Sequence, residues 1–146
     1  MTNKEKNDLF YVCSLIEYIS RETKNRRGEV VKRIGRKGIE KLLHDAEMNH
    51  CLSFEEVSDE VITYYKIPDG DFEPEKGSPY TIPGAQDIGK LYAIMIEDLS
   101  KPGGEIDELI SVFTSFISDA ISNFRSDLYY QNPDYLECCY REGQLL

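Results

Sequence analysis

The sequence has no long apolar segment. Its longest uninterrupted apolar run extends from Leu91 to Ile96, six residues, whereas a helix that spans a bilayer needs about 20. The N-terminal stretch Met1–Lys6 is charged, and no apolar run follows it, which is unlike a secretory signal peptide. These two absences predict a soluble protein that stays in the cytoplasm and has no membrane partner.

The cysteines show no spacing typical of metal ligands. The four cysteines, Cys13, Cys51, Cys138 and Cys139, include no C-x-x-C pair, and a chain of 146 residues can fold around an apolar core without disulfides. Adjacent side chains on a helix point about 100° apart, so at most one of Cys138 and Cys139 is expected in the core. We predict four reduced thiols that serve as small apolar side chains.

The motifs that mark common enzymes are also missing. The chain has no P-loop, no dinucleotide glycine fingerprint and no G-x-S-x-G elbow. Glu40, His44 and Glu47 would share one helix face, but they lack a further strong ligand for a metal. Asp69–Glu75 resembles the opening of a calcium loop, but Pro74 stands where that loop needs glycine. We therefore predict a non-enzymatic chain with no catalytic residue, no metal ligand and no cofactor.

Apolar residues recur at spacings of three and four in every long segment, a pattern typical of amphipathic helices. Ser53 and Glu56 have the spacing of a capping box, and Asn132-Pro133 is typical of a helix start. Helices are expected at about 7–21, 29–34, 39–49, 54–65, 86–99, 105–127 and 133–141. The sequence thus predicts one all-α domain, residues 1–146, of six or seven helices, in which 86–99 and 105–127 form the central antiparallel pair.

Proline and glycine concentrate in one segment. Residues 66–86 hold four of the six prolines together with Gly70, Gly77 and Gly84. Because proline locks φ and lacks an amide donor, no helix is expected to cross this segment. A loop of this length is uncommon inside a compact domain and is often functional.

Charge is distributed unevenly along the chain. The net charge is −10, yet residues 24–41 carry eight basic side chains and two acidic ones. The acidic bulk argues against general nucleic-acid binding, whereas the basic stretch is the one place where an anion could dock. The alternative is a solvated surface, or one that docks on the acidic remainder of the chain. The expected anion or nucleic-acid contacts are Lys24, Arg26, Arg27, Lys32, Arg33, Arg36 and Lys37.

Tyrosine is abundant, with ten tyrosines and no tryptophan. Tyrosine is favoured at protein interfaces because it combines apolar area with a polar tip. The first helix also carries two apolar stripes, which either support a homodimer or place that helix in the middle of the bundle. The expected interface residues are Tyr11, Tyr18, Tyr129, Tyr130, Tyr135 and Tyr140.

Several segments are similar to a known family. They are Phe10–Ile19, Thr23–Arg27, His44–His50, Val57–Ile62, Asp87–Tyr92 and Tyr129–Tyr135. Over roughly residues 9–142, the chain resembles a family of small bacterial proteins of unassigned function. The resemblance implies an all-helical bacterial cytoplasmic protein, and it transfers no catalytic residue. The first helix alone is loosely similar to the short helical partners encoded beside toxin genes.

These observations favour a module that binds an unidentified protein partner, of the antitoxin or immunity type. An acidic body would then steer a basic partner to its surface. The alternative function is nucleic-acid binding through residues 24–41, whose phosphate contacts would weaken steeply with salt.

Overall fold

The computed structural model describes all 146 residues. It contains seven α-helices and no β-strand, which confirms the predicted all-α fold. A short 3₁₀ turn, Leu128–Tyr130, precedes the last helix. The helices are α1 (Asn3–Thr23), α2 (Arg27–Asn49), α3 (Phe54–Tyr65), α4 (Ala85–Leu99), α5 (Glu105–Thr114), α6 (Phe116–Ile121) and α7 (Pro133–Glu142).

Several helices begin where the sequence predicts an N-cap. Ser53 Oγ accepts the amide of Glu56 at the start of α3, but the Glu56 side chain accepts from Ser53 Oγ at 3.2 Å rather than from the Ser53 amide. Asn132 caps α7, and Pro133 occupies its first turn. Each cap satisfies an amide that has no partner inside the helix.

The centre of the bundle is α1, which packs most extensively on α4 and next on α2. The prediction that α4 and the following helix form the central pair was wrong. Leu15 and Ile16, which belong to different stripes of α1, are both fully buried. Close approach is possible because α4 presents Gly89, where a Cβ would lie 2.6 Å from the backbone of Ser14. The two apolar stripes of α1 are thus covered within one chain.

Regular helix geometry breaks at two places: between the two helices predicted at 29–34 and 39–49, which are joined in α2, and inside the helix predicted at 105–127. In α2, Gly35 adopts φ 74° and ψ 171°, a conformation that essentially only glycine tolerates, so the segments before and after it meet at a kink. The predicted helix 105–127 ends at Thr114, because Ser115 is extended and its Oγ accepts the amide of Ile117 to start α6. The apolar spacing continues in phase across this break, so periodicity alone does not reveal it.

The segment between α3 and α4 is tied to the end of α1. The Gly70 amide donates to the carbonyl of Thr23 at 2.7 Å, and the Phe72 amide donates to the carbonyl of Lys24 at 2.8 Å. Farther along, Ser78 Oγ donates to the carbonyl of Phe124 at 2.5 Å. These hydrogen bonds give the loop a defined path over α1 and the chain after α6.

Candidate functional site

The basic residues of the stretch 24–41 do not form one open surface. Only Arg33 and Lys37, among the seven expected anion contacts, form no ion pair with a carboxylate. Each of the other five residues forms an ion pair, and these pairs are Lys24–Glu73, Arg26–Asp119, Arg27–Glu17, Lys32–Glu29 and Arg36–Asp107. Four of these five carboxylates come from other elements of the fold, so much of the positive charge is matched inside the monomer.

Arg27 is not available to an external anion because its guanidinium is completely buried. Its Nε donates to Glu17 Oε1 at 2.8 Å, and its Nη2 donates to Glu17 Oε2 at 2.5 Å. Arg21 Nε donates to the same Oε2 at 2.8 Å. The prediction that Arg27 contacts an anion was therefore wrong, because a carboxylate of α1 already takes up its donors.

The Glu17 carboxylate is held in its ionised form. Burial alone would raise the pKa of Glu17, but the hydrogen bonds and positive charges of Arg27 and Arg21 outweigh burial and lower that pKa. Burial opposes the charge on Arg27 as well, and Glu17 reverses the effect, so the pKa of Arg27 is raised. A carboxylate fixed between two guanidinium groups is a poor proton acceptor, so this cluster offers no general base.

The loop between α3 and α4 covers this buried cluster. Glu75 Oε1 lies 3.8 Å from Arg27 Nη2 and 3.9 Å from Arg21 Nε. The Phe72 ring lies under Arg26, whose Cζ is 4.5 Å from the ring centroid, a distance suited to a cation–π contact. The loop therefore covers the ion pair between Glu17 of α1 and Arg27 of α2.

The tyrosines of α1 pack inside the monomer. Tyr11 is 4% exposed and stacks on Phe54 with ring centroids 5.4 Å apart. Tyr18 is half-buried and stacks on the same ring at 5.6 Å. Tyr11 therefore presents no surface to a second chain, contrary to the prediction, and Phe54 of α3 is the partner that both tyrosines share.

The tyrosines near the C-terminus point to several different places. Tyr129 is 9% exposed and Tyr130 is 76% exposed. Tyr135 donates its hydroxyl to the carbonyl of Leu146 at 2.5 Å, whereas the Tyr140 hydroxyl donates to Glu108 on α5 at 2.9 Å. Tyr130 alone offers a large exposed ring, so these four residues do not make a continuous apolar interface.

An apolar groove of about 750 Å³ lies between the C-terminal half of α2 and α3. Its floor is formed by apolar side chains of both helices, including Leu42, Val57 and Val61. Two large side chains rise from it into solvent, since Met48 is 67% exposed and Tyr64 is 75% exposed. A groove of this volume lies within the range of about 300–1,000 Å³ that is typical of binding sites.

The rim of this groove is acidic on its α3 side. Asp59 and Glu60 line it, and neither forms an ion pair. On the α2 side the only lining cation, Lys41, is already bonded to Asp45 at 2.7 Å. The groove therefore combines an apolar floor with uncompensated negative charge.

Sequence reasoning missed this groove. The spacing of α3 correctly places Phe54, Val57 and Val61 on the packed face, and Tyr64 lies just outside that face. Met48 likewise lies off the apolar stripe of α2. The sequence shows that Tyr64 and Met48 are large apolar side chains next to the apolar stripes of α3 and α2. Only the folded chain shows that both side chains face the same groove.

Among the remaining candidate side chains, His44, Cys51 and Cys138 are exposed, whereas Cys13 and Cys139 are buried. The His44 side chain is 87% exposed, with Nδ1 at 3.1 Å from Asp45 Oδ1, which agrees with a histidine on a solvated face. All four cysteines are free. Cys139 is buried and its neighbour Cys138 is exposed, as the angle between adjacent helix residues requires.

No family model, curated protein or solved structure matches this chain. The resemblance to small bacterial proteins therefore stays an expectation from the sequence. Among the seven helices, none combines the length and the apolar character that crossing a bilayer requires.

Proposed function

We propose that this chain is a non-enzymatic protein-binding module that receives a basic amphipathic helix of its partner in the groove between α2 and α3. The observation that carries the proposal is the exposure of Met48 and Tyr64 beside an apolar floor. Aromatic and methionine side chains are enriched at interfaces, and exposed apolar surface rimmed by polar residues marks interaction sites.

The charge around the groove supports a basic partner. The acidic residues of α3, none of them in an ion pair, are Glu55, Glu56, Asp59 and Glu60. Asp59 and Glu60 line the groove, and Glu55 and Glu56 precede them on the same helix of 12 residues, so negative potential accumulates along α3 beside the groove. Complementary charge speeds encounter and suppresses wrong partners, which favours a helix with lysine or arginine beside its apolar face.

The shape of the groove supports a helical ligand. A helix of 12 residues is about 18 Å long, so α3 can flank about three turns of a bound helix. Helix-in-groove recognition uses apolar anchors spaced three, four and seven residues apart, and these would contact Met48, Tyr64 and the floor. A small cytoplasmic bacterial protein that captures a partner segment in this way would suit an antitoxin or immunity role.

A peptide-display selection on the purified full chain tests the proposal. Enriched peptides should carry lysine or arginine and apolar residues at spacings of three and four, and their affinity should fall as salt rises. Tyr64→Ala should weaken binding by about tenfold or more, the effect of losing an interface residue worth about 1.4 kcal/mol. Tyr130→Ala is the matched control, since Tyr130 is equally exposed but lies outside the groove.

Two outcomes would contradict this function. One is a selection that enriches no such peptide. The other is equal affinity for the wild type and Tyr64→Ala, with chemical shift changes in a nuclear magnetic resonance titration that map outside α2 and α3.

Nucleic-acid binding remains the second candidate because Arg33 and Lys37 are exposed and form no ion pair. Two free cations near the kink of α2 could contact phosphates. A gel shift at about 50 mM salt, where phosphate contacts act strongly, tests this alternative. A shift that disappears in the double variant Arg33→Gln/Lys37→Gln would support it, and the absence of any shift with DNA or RNA would exclude it.

A further inference from the structure

Three carboxylates converge where α7 packs on α4. Asp98 lies in the last turn of α4, Asp134 lies in the first turn of α7, and Glu137 follows one turn later. One oxygen of each carboxylate lies within 4.8 Å of the others. None of the three lies within ion-pair distance of a lysine, arginine or histidine, although the charge of Arg141 acts on Glu137 from farther away.

The burial of Glu137 indicates that this carboxylate lacks a binding partner. It is only 4% exposed, and its Oε2 is buried without any hydrogen-bond partner. A buried acceptor without a partner loses its hydration and regains nothing, which costs more for a charged group than for a neutral one. The Asp98 carboxyl can serve as its hydrogen-bond partner only when one of the two carboxyls is protonated, so a cation among the ionised carboxylates would supply the missing partner.

We propose that Asp98, Asp134 and Glu137 bind a divalent cation that prefers oxygen ligands, with Ca²⁺ as the best fit, and that this ion fastens α7 to the end of α4. The chemistry suits a hard cation because all three ligands are carboxylate oxygens. The site is separate from the groove between α2 and α3, and it does not depend on the function proposed for that groove.

The spacing of the oxygens favours Ca²⁺ over Mg²⁺. Calcium–oxygen bonds of about 2.3–2.6 Å place opposite ligands about 4.6–5.2 Å apart, so oxygens within 4.8 Å of one another fit in one coordination sphere. Magnesium–oxygen bonds of about 2.0–2.1 Å limit that distance to about 4.2 Å. Water would complete the six to eight ligands that Ca²⁺ takes.

The two helix termini at this site act in opposite directions, because the N-terminus of α7 favours the Asp134 carboxylate whereas the C-terminus of α4 adds negative potential. Asp98 stands near the C-terminus of α4, where unpaired carbonyls carry partial negative charge and no basic residue lies in the last turn. Burial, followed by the neighbouring carboxyl of Asp98, raises the pKa of Glu137 to about 8. A bound cation would reverse this effect, whereas a proton shared between Glu137 and Asp98 is the competing way to neutralise the pair.

Calorimetric titration of the EDTA-treated full chain with CaCl2 tests the site. The wild type should bind one Ca²⁺ saturably. Glu137→Gln should weaken binding by at least about tenfold, because even residues that only support a metal ligand change affinity by about 10- to 100-fold. Asp134→Asn, at an exposed ligand, is a second variant that leaves the core intact and should also weaken binding.

Glu142→Gln is the matched control, because Glu142 is an exposed acid on the same helix and should bind Ca²⁺ as the wild type does. A rise in the melting temperature of the wild type with Ca²⁺, missing in Glu137→Gln, would give independent support. The proposal is overturned if millimolar Ca²⁺ gives no binding heat, or if Glu137→Gln binds Ca²⁺ equally well. Saturable binding of Mg²⁺ alone, lost in Glu137→Gln, would support the site and overturn the assignment to Ca²⁺.

Discussion

The buried ion pair between Glu17 and Arg27 gives a quantitative prediction about folding stability. Both side chains are completely buried, and two hydrogen bonds join them. Glu17→Leu would leave the Arg27 guanidinium without its carboxylate in the interior, a change that typically costs about 3–5 kcal/mol. Because native proteins have only about 5–15 kcal/mol of stability, this substitution should lower the urea midpoint strongly.

Replacing the arginine of this pair should lower the stability less than replacing the glutamate. In Arg27→Met, Glu17 keeps the hydrogen bond from Arg21 Nε at 2.8 Å, and Arg21 is not completely buried. We expect Arg27→Met to lower the free energy of unfolding by about 3 kcal/mol, the lower end of the range for a broken buried ion pair. The double variant Glu17→Leu/Arg27→Met removes both buried charges and should be far more stable than the sum of the single effects, since replacing a buried pair with apolar residues is often nearly neutral.

Urea denaturation of the wild type, the two single variants and the double variant, followed by circular dichroism, measures the coupling energy between Glu17 and Arg27. The exposed pair Glu29–Lys32 is the control, and its single variants should cost below about 1 kcal/mol. If Glu17→Leu does not fold, Glu17→Gln keeps the shape of the side chain and replaces it in the cycle. Additive effects of the Glu17 and Arg27 substitutions would refute the reasoning, because they would show that neither charge depends on the other.

Three further predictions follow from backbone packing and from burial of a carboxyl. Gly89→Ala should destabilise the protein by about 1–3 kcal/mol, because the new methyl group would overlap the Ser14 backbone of α1, and thermal denaturation would show this as a lower midpoint. Gly35→Ala should also destabilise by about 1–3 kcal/mol because Gly35 has φ +74° with open space around it; a gain in the urea midpoint would contradict the cost of that backbone conformation. In EDTA, the stability of the wild type should fall as pH rises from about 4.5 to about 8, because the folded state keeps the Glu137 proton that the unfolded chain loses. Glu137→Gln should flatten that part of the pH profile, and an unchanged profile would show that Glu137 is already ionised in the folded protein.

The sequence was sufficient to predict where most helices lie, because apolar spacing and caps are local properties. Ser53 and Asn132 mark helix starts as expected. The same spacing did not reveal the break at Ser115, since the apolar residues on either side remain in phase. Nor did it identify α1 and α4 as the central pair, because that pairing depends on the close approach at Gly89, which is a property of two helices together.

The candidate sites were harder to predict because each joins residues that are distant in sequence. Glu17 lies among the apolar residues of α1, and its partner Arg27 is ten positions away beyond a helix end. Asp98 and Glu137 are 39 positions apart. No local sequence pattern shows that carboxylates so far apart in the chain converge in the fold. A buried charge such as Glu17 is visible in the sequence only as a charged residue within an apolar stripe.

The uneven charge of the sequence has a physical explanation in the fold. Residues 1–50 hold 11 basic and 8 acidic side chains, and residues 51–146 hold 6 basic and 19 acidic ones. Ion pairs such as Lys24–Glu73 and Arg26–Asp119 join these two parts, so much of the positive charge that suggested an anion site is already matched by carboxylates of the same chain. The acids in excess cannot be matched in this way. Those of α3 remain beside the apolar groove, where the proposed basic partner would neutralise them, and for this reason we propose protein binding rather than nucleic-acid binding.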